Sequence, residues 1–207
     1  MNRRPRIIGG RETEVNEYPW MVGLYYHNYS KDAPVCGGSL VSDRWILSAA
    51  HCVKDRKSDD IPSHWHAALG DHDYNTDDET NHLDAEIVQI FSHPNYVQDG
   101  SFRFDFALFK MKVEVDLLKY PHIRPVCLPT DDRNTYENKA AIVTGWGLTN
   151  VVTGERSSAL LELDVHVLSN EACAKNFSYA PPQITDQMLC ANVDDGAKDA
   201  CQGDSGG

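Results

Sequence analysis

Apolar residues in this chain come in runs of strand length, and no long helical period joins them. Segments 35–41, 45–50, 86–91, 104–111, 140–146 and 160–168 each have the length of one strand. In the last of them Leu161, Leu163, Val165 and Val167 alternate with Glu162, Asp164 and His166, the period of a half-buried strand. Turn-forming clusters separate the runs: Gly9-Gly10, Gly37-Gly38, His93-Pro94-Asn95, Pro129-Thr130-Asp131-Asp132 and Gly145-Trp146-Gly147. The pattern predicts an all-β chain, a sandwich or a barrel. Ser169-Asn170-Glu171-Ala172 is the exception and reads as a helix start, with Ser169 as the cap and an acid in the first turn. Segment 120–129 carries three prolines, which makes it stiff and extended, suited to linking two β units.

Composition narrows the functional classes. The 207 residues are 41% hydrophobic and 24% charged, ordinary globular usage that argues against disorder. Nineteen basic against thirty-one acidic residues give a net charge of −12, which repels phosphate backbones and counts against nucleic-acid binding. No run of eighteen apolar residues exists, so no transmembrane helix is expected. Residues 1–6 are short and basic without an apolar core, so they are not a signal peptide.

The six cysteines, at 36, 52, 127, 173, 190 and 201, include no Cys-x-x-Cys pair, which disfavours metal knuckles and thioredoxin-type redox motifs. An even count in a loop-rich chain leans toward disulfides and a secreted, extracellular protein. The sequons Asn28-Tyr29-Ser30 and Asn176-Phe177-Ser178 point weakly the same way. The acidic segment 71–84 reads as a solvated loop. Its alternative is a structural calcium loop with Asp71 and Asp78 among the oxygen ligands, although no EF-hand spacing is present.

Three residues stand out chemically. Ser205 lies in Gly203-Asp204-Ser205-Gly206-Gly207, which is either a plain turn or a backbone sharp enough to expose a nucleophilic hydroxyl. The string also fits the Gly-x-Ser-x-Gly elbow, but there the acid and the histidine follow the serine, and only two glycines follow Ser205. A base and an acid must therefore come from upstream. Among nine histidines His51 is distinctive, ending the run Trp45-Ile46-Leu47-Ser48-Ala49-Ala50 beside Cys52, where a base could be held rigidly. Asp105 sits among Phe102, Phe104, Phe106 and Phe109, and a carboxylate buried there needs a partner. That partner is either Arg103 or an imidazole whose tautomer Asp105 fixes. The order His, Asp, Ser carries more weight than any one residue.

The chain resembles the chymotrypsin/trypsin family of serine endopeptidases. The matching strings are Arg6-Ile7-Ile8-Gly9-Gly10, Cys36-Gly37-Gly38-Ser39-Leu40, Ser48-Ala49-Ala50-His51-Cys52, Asp105-Phe106-Ala107-Leu108, Thr144-Gly145-Trp146-Gly147 and Asp199-Ala200-Cys201-Gln202-Gly203-Asp204-Ser205-Gly206-Gly207. The resemblance implies two packed six-stranded antiparallel Greek-key barrels, the second incomplete because the chain reads as a partial one ending at Gly207. Its boundaries are 1–6 for an activation remnant, 7–119 for the first barrel with its N-terminal segment, 120–129 for the linker and 130–207 for the second barrel.

The resemblance also implies roles: Ser205 as nucleophile, His51 as base and then acid, Asp105 as the group orienting His51, and the amides of Gly203 and Ser205 as the oxyanion hole. Asp199 becomes the floor of the primary specificity pocket, implying protein or peptide substrates cut after Arg or Lys. Ala200 in place of a serine favours Arg. Cleavage after Arg6 would free the Ile7 amine to pair with Asp204. The implied disulfides are Cys36–Cys52 and Cys173–Cys190, and Arg156 lies in a loop like the family's self-cleavage loop. No cofactor is required, the structural calcium of segment 71–84 being optional, and protein protease inhibitors are implied partners. The alternatives are a non-catalytic, protease-like binding protein or an inert partial chain.

Overall fold

The computed structural model describes residues 10–27, 33–54, 60–76, 78–97, 102–131, 133–150, 152–176, 183–193 and 204–207. In chain order the first elements are β1 (Arg11–Glu12), β2 (Met21–Tyr26), β3 (Cys36–Leu40), β4 (Trp45–Ser48), the single turn α1 (His51–Lys54), β5 (Trp65–Leu69), β6 (Leu83–Ser92) and β7 (Ala107–Met111). Strands β2, β3, β4, β7, β6 and β5 close into an antiparallel barrel. Closure pairs every strand on both sides and leaves no exposed edge. The all-β expectation is borne out. β7 shows why the pattern worked: Ala107, Phe109 and Met111 are buried while Leu108 and Lys110 face outward.

Two barrel strands were not legible as alternation. All six residues of β2 are buried. Val22, Leu24 and Tyr26 face the barrel core, while Met21 joins Trp146 and Leu160 in a separate cluster. A strand covered on both faces has no polar face to alternate with its apolar one. β5 places Ala67, Ala68 and Leu69 inside behind a fully buried Trp65, whose ring meets Phe109 at 5.5 Å. Its two alanines and His66 hid it from a hydrophobicity scan.

The later elements are β8 (Ala140–Gly145), β9 (Leu148–Asn150), β10 (Glu155–Arg156), β11 (Leu161–Leu168), α2 (Asn170–Asn176) and β12 (Cys190–Asn192). β1, β11 and β12 pair in that order, β8 adds to β11, and β9 with β10 makes a two-stranded ribbon. Among the described residues this second unit is an open sheet, not a closed barrel. The helix start is where the sequence put it: Ser169 Oγ accepts the Ala172 N–H at 3.1 Å. A disulfide, Cys173–Cys190, ties α2 to β12.

The structure corrects two surface expectations. Glu162, expected to alternate outward, is buried, because β1 lies along that stretch of β11 with Arg11 opposite Glu162. Its carboxylate accepts from Arg11 Nε and from the Tyr18 hydroxyl, which supplies the partners a buried charge requires. Segment 71–84 is not simply a solvated loop: it ends inside β6, His72 is buried, and Trp146 Nε1 donates to the His72 carbonyl at 2.9 Å.

Candidate active site

β4 delivers the chain through Ala49 and Ala50 to α1, so His51 opens a turn anchored by buried Ala50, Cys52 and Val53. Cys52 is joined to Cys36 of β3 by a disulfide closing a separation of 16 residues. The backbone at His51 is thus held by the barrel core on one side and a covalent bond on the other.

Asp105 lies two residues before the start of β7. Two bulky residues before it take left-handed backbone, Phe102 at φ 52° and Phe104 at φ 55°, which is uncommon for side chains of that size. Neighbours hold the bend. Phe106 N–H donates to the Phe104 carbonyl at 2.8 Å, and the His93 ring stacks on Phe104 at 4.9 Å. The bend aims the Asp105 carboxylate at His51. Oδ2 lies 2.7 Å from Nδ1, and Oδ1 accepts the His51 backbone N–H at 2.8 Å. An ionised carboxylate only accepts, so the imidazole proton sits on Nδ1 and the neutral ring keeps its lone pair on Nε2. Both side chains are mostly enclosed, which strengthens the contact relative to water. The imidazole, one of the two partners left open for Asp105, is in contact with it. Phe102 stands edge-on to the same ring at 5.8 Å.

Ser205 reaches this region through backbone contacts that the sequence did not single out. Gly37 N–H of β3 donates to the Ser205 carbonyl at 2.8 Å, and Ser48 Oγ of β4 donates to the Gly37 carbonyl at 2.7 Å. Gly206, at φ +84°, packs so closely that a Cβ there would lie 2.2 Å from Ser48 Oγ and 2.6 Å from the Gly37 carbonyl. Cys52 Sγ lies 4.0 Å from His51 Nε2 and 3.9 Å from the Ser205 carbonyl oxygen. His51 and the Ser205 backbone, far apart in the chain, therefore both lie against the Cys36–Cys52 disulfide, and Asp105 joins them through its contacts with His51. The pair Gly37-Gly38 beside Cys36 was the available sequence signal for this close approach.

Asp204 is buried, and its Oδ1 accepts the Gly147 N–H at 2.8 Å. A Cβ at Gly147 would fall 2.5 Å from the carboxylate, so the Gly145-Trp146-Gly147 turn forms a cradle around that acid. Arg6, Ile7, Asp199 and Gly203 lie outside the described residues. Arg156 pairs within the ribbon, and its guanidinium donates to the Pro34 carbonyl at 2.9 Å. Cys127 is exposed and unpaired among the described residues, and Cys201 lies outside them.

Two groups of side chains bear on metal binding. Cys36, His51 and Cys52 cluster closely, but both sulfurs belong to the disulfide and offer no thiolate. On the acidic loop Asp78 is exposed, whereas Asp71 Oδ1 is buried without a hydrogen-bond partner. Burial pushes the Asp71 carboxyl up to about 6, with Glu79 and Asp84 adding repulsion and His82 opposing them. An orphaned hard oxygen of this kind fits a calcium ion.

Known proteins bear on this geometry. The trypsin family model matches residues 7–207. The proclotting enzyme of Tachypleus tridentatus is 35% identical over 208 residues, covering 98% of this chain and 54% of its own length. The venom serine protease Bi-VSP of Bombus ignitus is 34% identical over 212 residues, covering 98% of this chain and 56% of its own length. Among solved structures, neuropsin, a serine protease expressed in the limbic system of mouse brain, superposes with a TM-score of 0.77 at 28% identity, covering 95% of this chain and 79% of that one. The chain spans about half the length of these two curated relatives.

Proposed function

The chain belongs to the trypsin family, and from that premise we propose that it is a serine endopeptidase working through an acyl-enzyme. One observation supports this reading above the others: Asp105 contacts both the ring and the backbone of His51, leaving Nε2 as the basic nitrogen. In the proposed reaction Ser205 Oγ attacks the scissile carbonyl carbon as Nε2 takes its proton. The amides of Gly203 and Ser205 receive the oxyanion. Collapse expels the amine with the proton from Nε2 and leaves an ester on Ser205. Water, deprotonated by the same nitrogen, then releases the acid and returns a proton to Oγ.

Finer features of the proposal rest on sequence position. Asp199 at the pocket floor selects Arg or Lys, with Arg preferred. Cleavage after Arg6 activates a zymogen by sending the Ile7 amine to Asp204, and the burial of Asp204 in its glycine cradle supports a site for such a cation. The two disulfides support secretion. Protein protease inhibitors are proposed partners. A calcium ion would be held by Asp71, with the Glu79 carboxylate close by, and would supply charge neutralisation to the loop. No step of hydrolysis passes through it.

A fluorophosphonate probe on the full-length protein tests the reading. Labelling that disappears in both Ser205→Ala and His51→Ala supports it. Absence of labelling after cleavage at Arg6 would favour the non-catalytic, protease-like alternative.

A further inference from the structure

On the barrel wall formed by β2, β5 and β6, strands that carry none of His51, Asp105 or Ser205, two imidazoles and a carboxylate share one face. His27 follows β2, and its backbone N–H donates to the His64 carbonyl at 3.1 Å. One step along, Tyr25 pairs with His66, and His66 pairs with Glu86 of β6. Diagonal neighbours on a pleated face reach each other. His27 and His66 do so, their ring centroids 5.0 Å apart. Tyr25 stacks on His66 at 4.8 Å and fixes the ring, yet His66 Nδ1 is buried without a hydrogen-bond partner among the described residues. A buried ring nitrogen left unpaired calls for a ligand. A cavity of about 680 Å³, lined by His27, Ser63, His66, Glu86 and Lys112 among others, opens beside the pair.

We propose that His27, His66 and Glu86 form a binding site for a zinc-class dication. Two neutral imidazoles and a carboxylate, completed by water, are a donor set that zinc accepts. The net charge of −12 draws cations to the surface. Glu86 presently contacts Lys112 at 2.8 Å, with both side chains more than half exposed. A surface pair of that kind binds weakly, so the carboxylate can turn to a dication at little cost. Binding includes this rotation, because the one described trio of ligand atoms already gathered is that at Cys36, His51 and Cys52.

Zinc titration by calorimetry, with calcium present to occupy the loop at Asp71, tests the site, and cobalt serves as the spectroscopic probe. One equivalent of zinc should bind, with affinity falling on the order of ten-fold or more in His27→Ala and His66→Ala. Glu86→Gln should weaken binding by a smaller factor, and His51→Ala should leave it unchanged. Cobalt should give the visible bands of a tetrahedral site that His66→Gln, which retains a planar side chain beside Tyr25, abolishes. Binding that survives in His66→Ala and vanishes in His51→Ala would overturn the proposal, as would the absence of binding at millimolar zinc.

Discussion

Asp105 holds His51 at two points, ring and backbone: Oδ2 is 2.7 Å from Nδ1, and Oδ1 is 2.8 Å from the His51 amide nitrogen. The second contact matters as much as the first. It makes the acid a fixture of the turn that carries the ring, so that orientation and tautomer are set together.

Asp105→Asn should therefore leave the turn in place and spoil the tautomer. An amide facing Nδ1 can donate its own N–H, which moves the imidazole proton to Nε2, where it blocks proton transfer from Ser205. The expected loss in kcat is on the order of 10⁴, the magnitude general to this kind of triad, with little change in KM. Steady-state hydrolysis of an Arg ester checks it. A fall confined to KM would contradict the assigned role.

Gly206→Ala should be more damaging than its size suggests. Its φ of +84° disfavours a side chain, and the new Cβ would clash with Ser48 Oγ and the Gly37 carbonyl. Both obstacles belong to barrel strands, so the terminal turn must give way and Ser205 moves with it. Probe labelling should be lost while stability falls by roughly 1–3 kcal/mol. Wild-type labelling in the alanine variant would show that the turn tolerates displacement.

Glu162→Gln should loosen the N-terminal segment. The substitution keeps an acceptor for Tyr18 but removes the charge that faces Arg11 from a buried position. Solvent at the exposed Arg11 screens the contact, so the loss falls mainly on the buried end at residue 162 and should be small but measurable. Urea unfolding should register that loss, and limited proteolysis should cut first near β1. Unchanged values in both assays would make the network ornamental.

Asp71 gives the molecule a definite pH signature. Burial pushes its carboxyl up to about 6 in the folded protein, well above the ordinary carboxylate range at about 4. The folded state therefore keeps a proton that the unfolded chain releases, so this residue's effect on stability is most favourable below about pH 4 and becomes a penalty as pH rises through about 6. In EDTA, Asp71→Asn should remove that downward slope and be the more stable protein above the window. Calcium should raise the melting temperature of the wild type there and leave the variant unmoved. Parallel melting curves across pH would count against it.

Much was legible before folding because it is local. The period of two from Leu163 to Val167 of β11, the turn at Pro94-Asn95 and the cap at Ser169 are set by neighbouring residues and reappear in the structure, whereas Gly37-Gly38, read as a turn, lies inside β3. The motif strings around His51, Asp105 and Ser205 named the candidates, since those residue types are the ones that can exchange protons and attack a carbonyl. Three things depended on contacts between distant segments. β2 is covered on both faces, so its burial left no alternation to read. Glu162 looked like a solvent residue until β1 crossed over it. The approach of Ser205 to His51 is made by Gly37 and Ser48 of neighbouring barrel strands, whose register appears only when the sheet closes. Local sequence determines which residues prefer a strand or a turn and which can do chemistry. Which of them are desolvated, and which meet, is decided by packing between segments far apart in the chain.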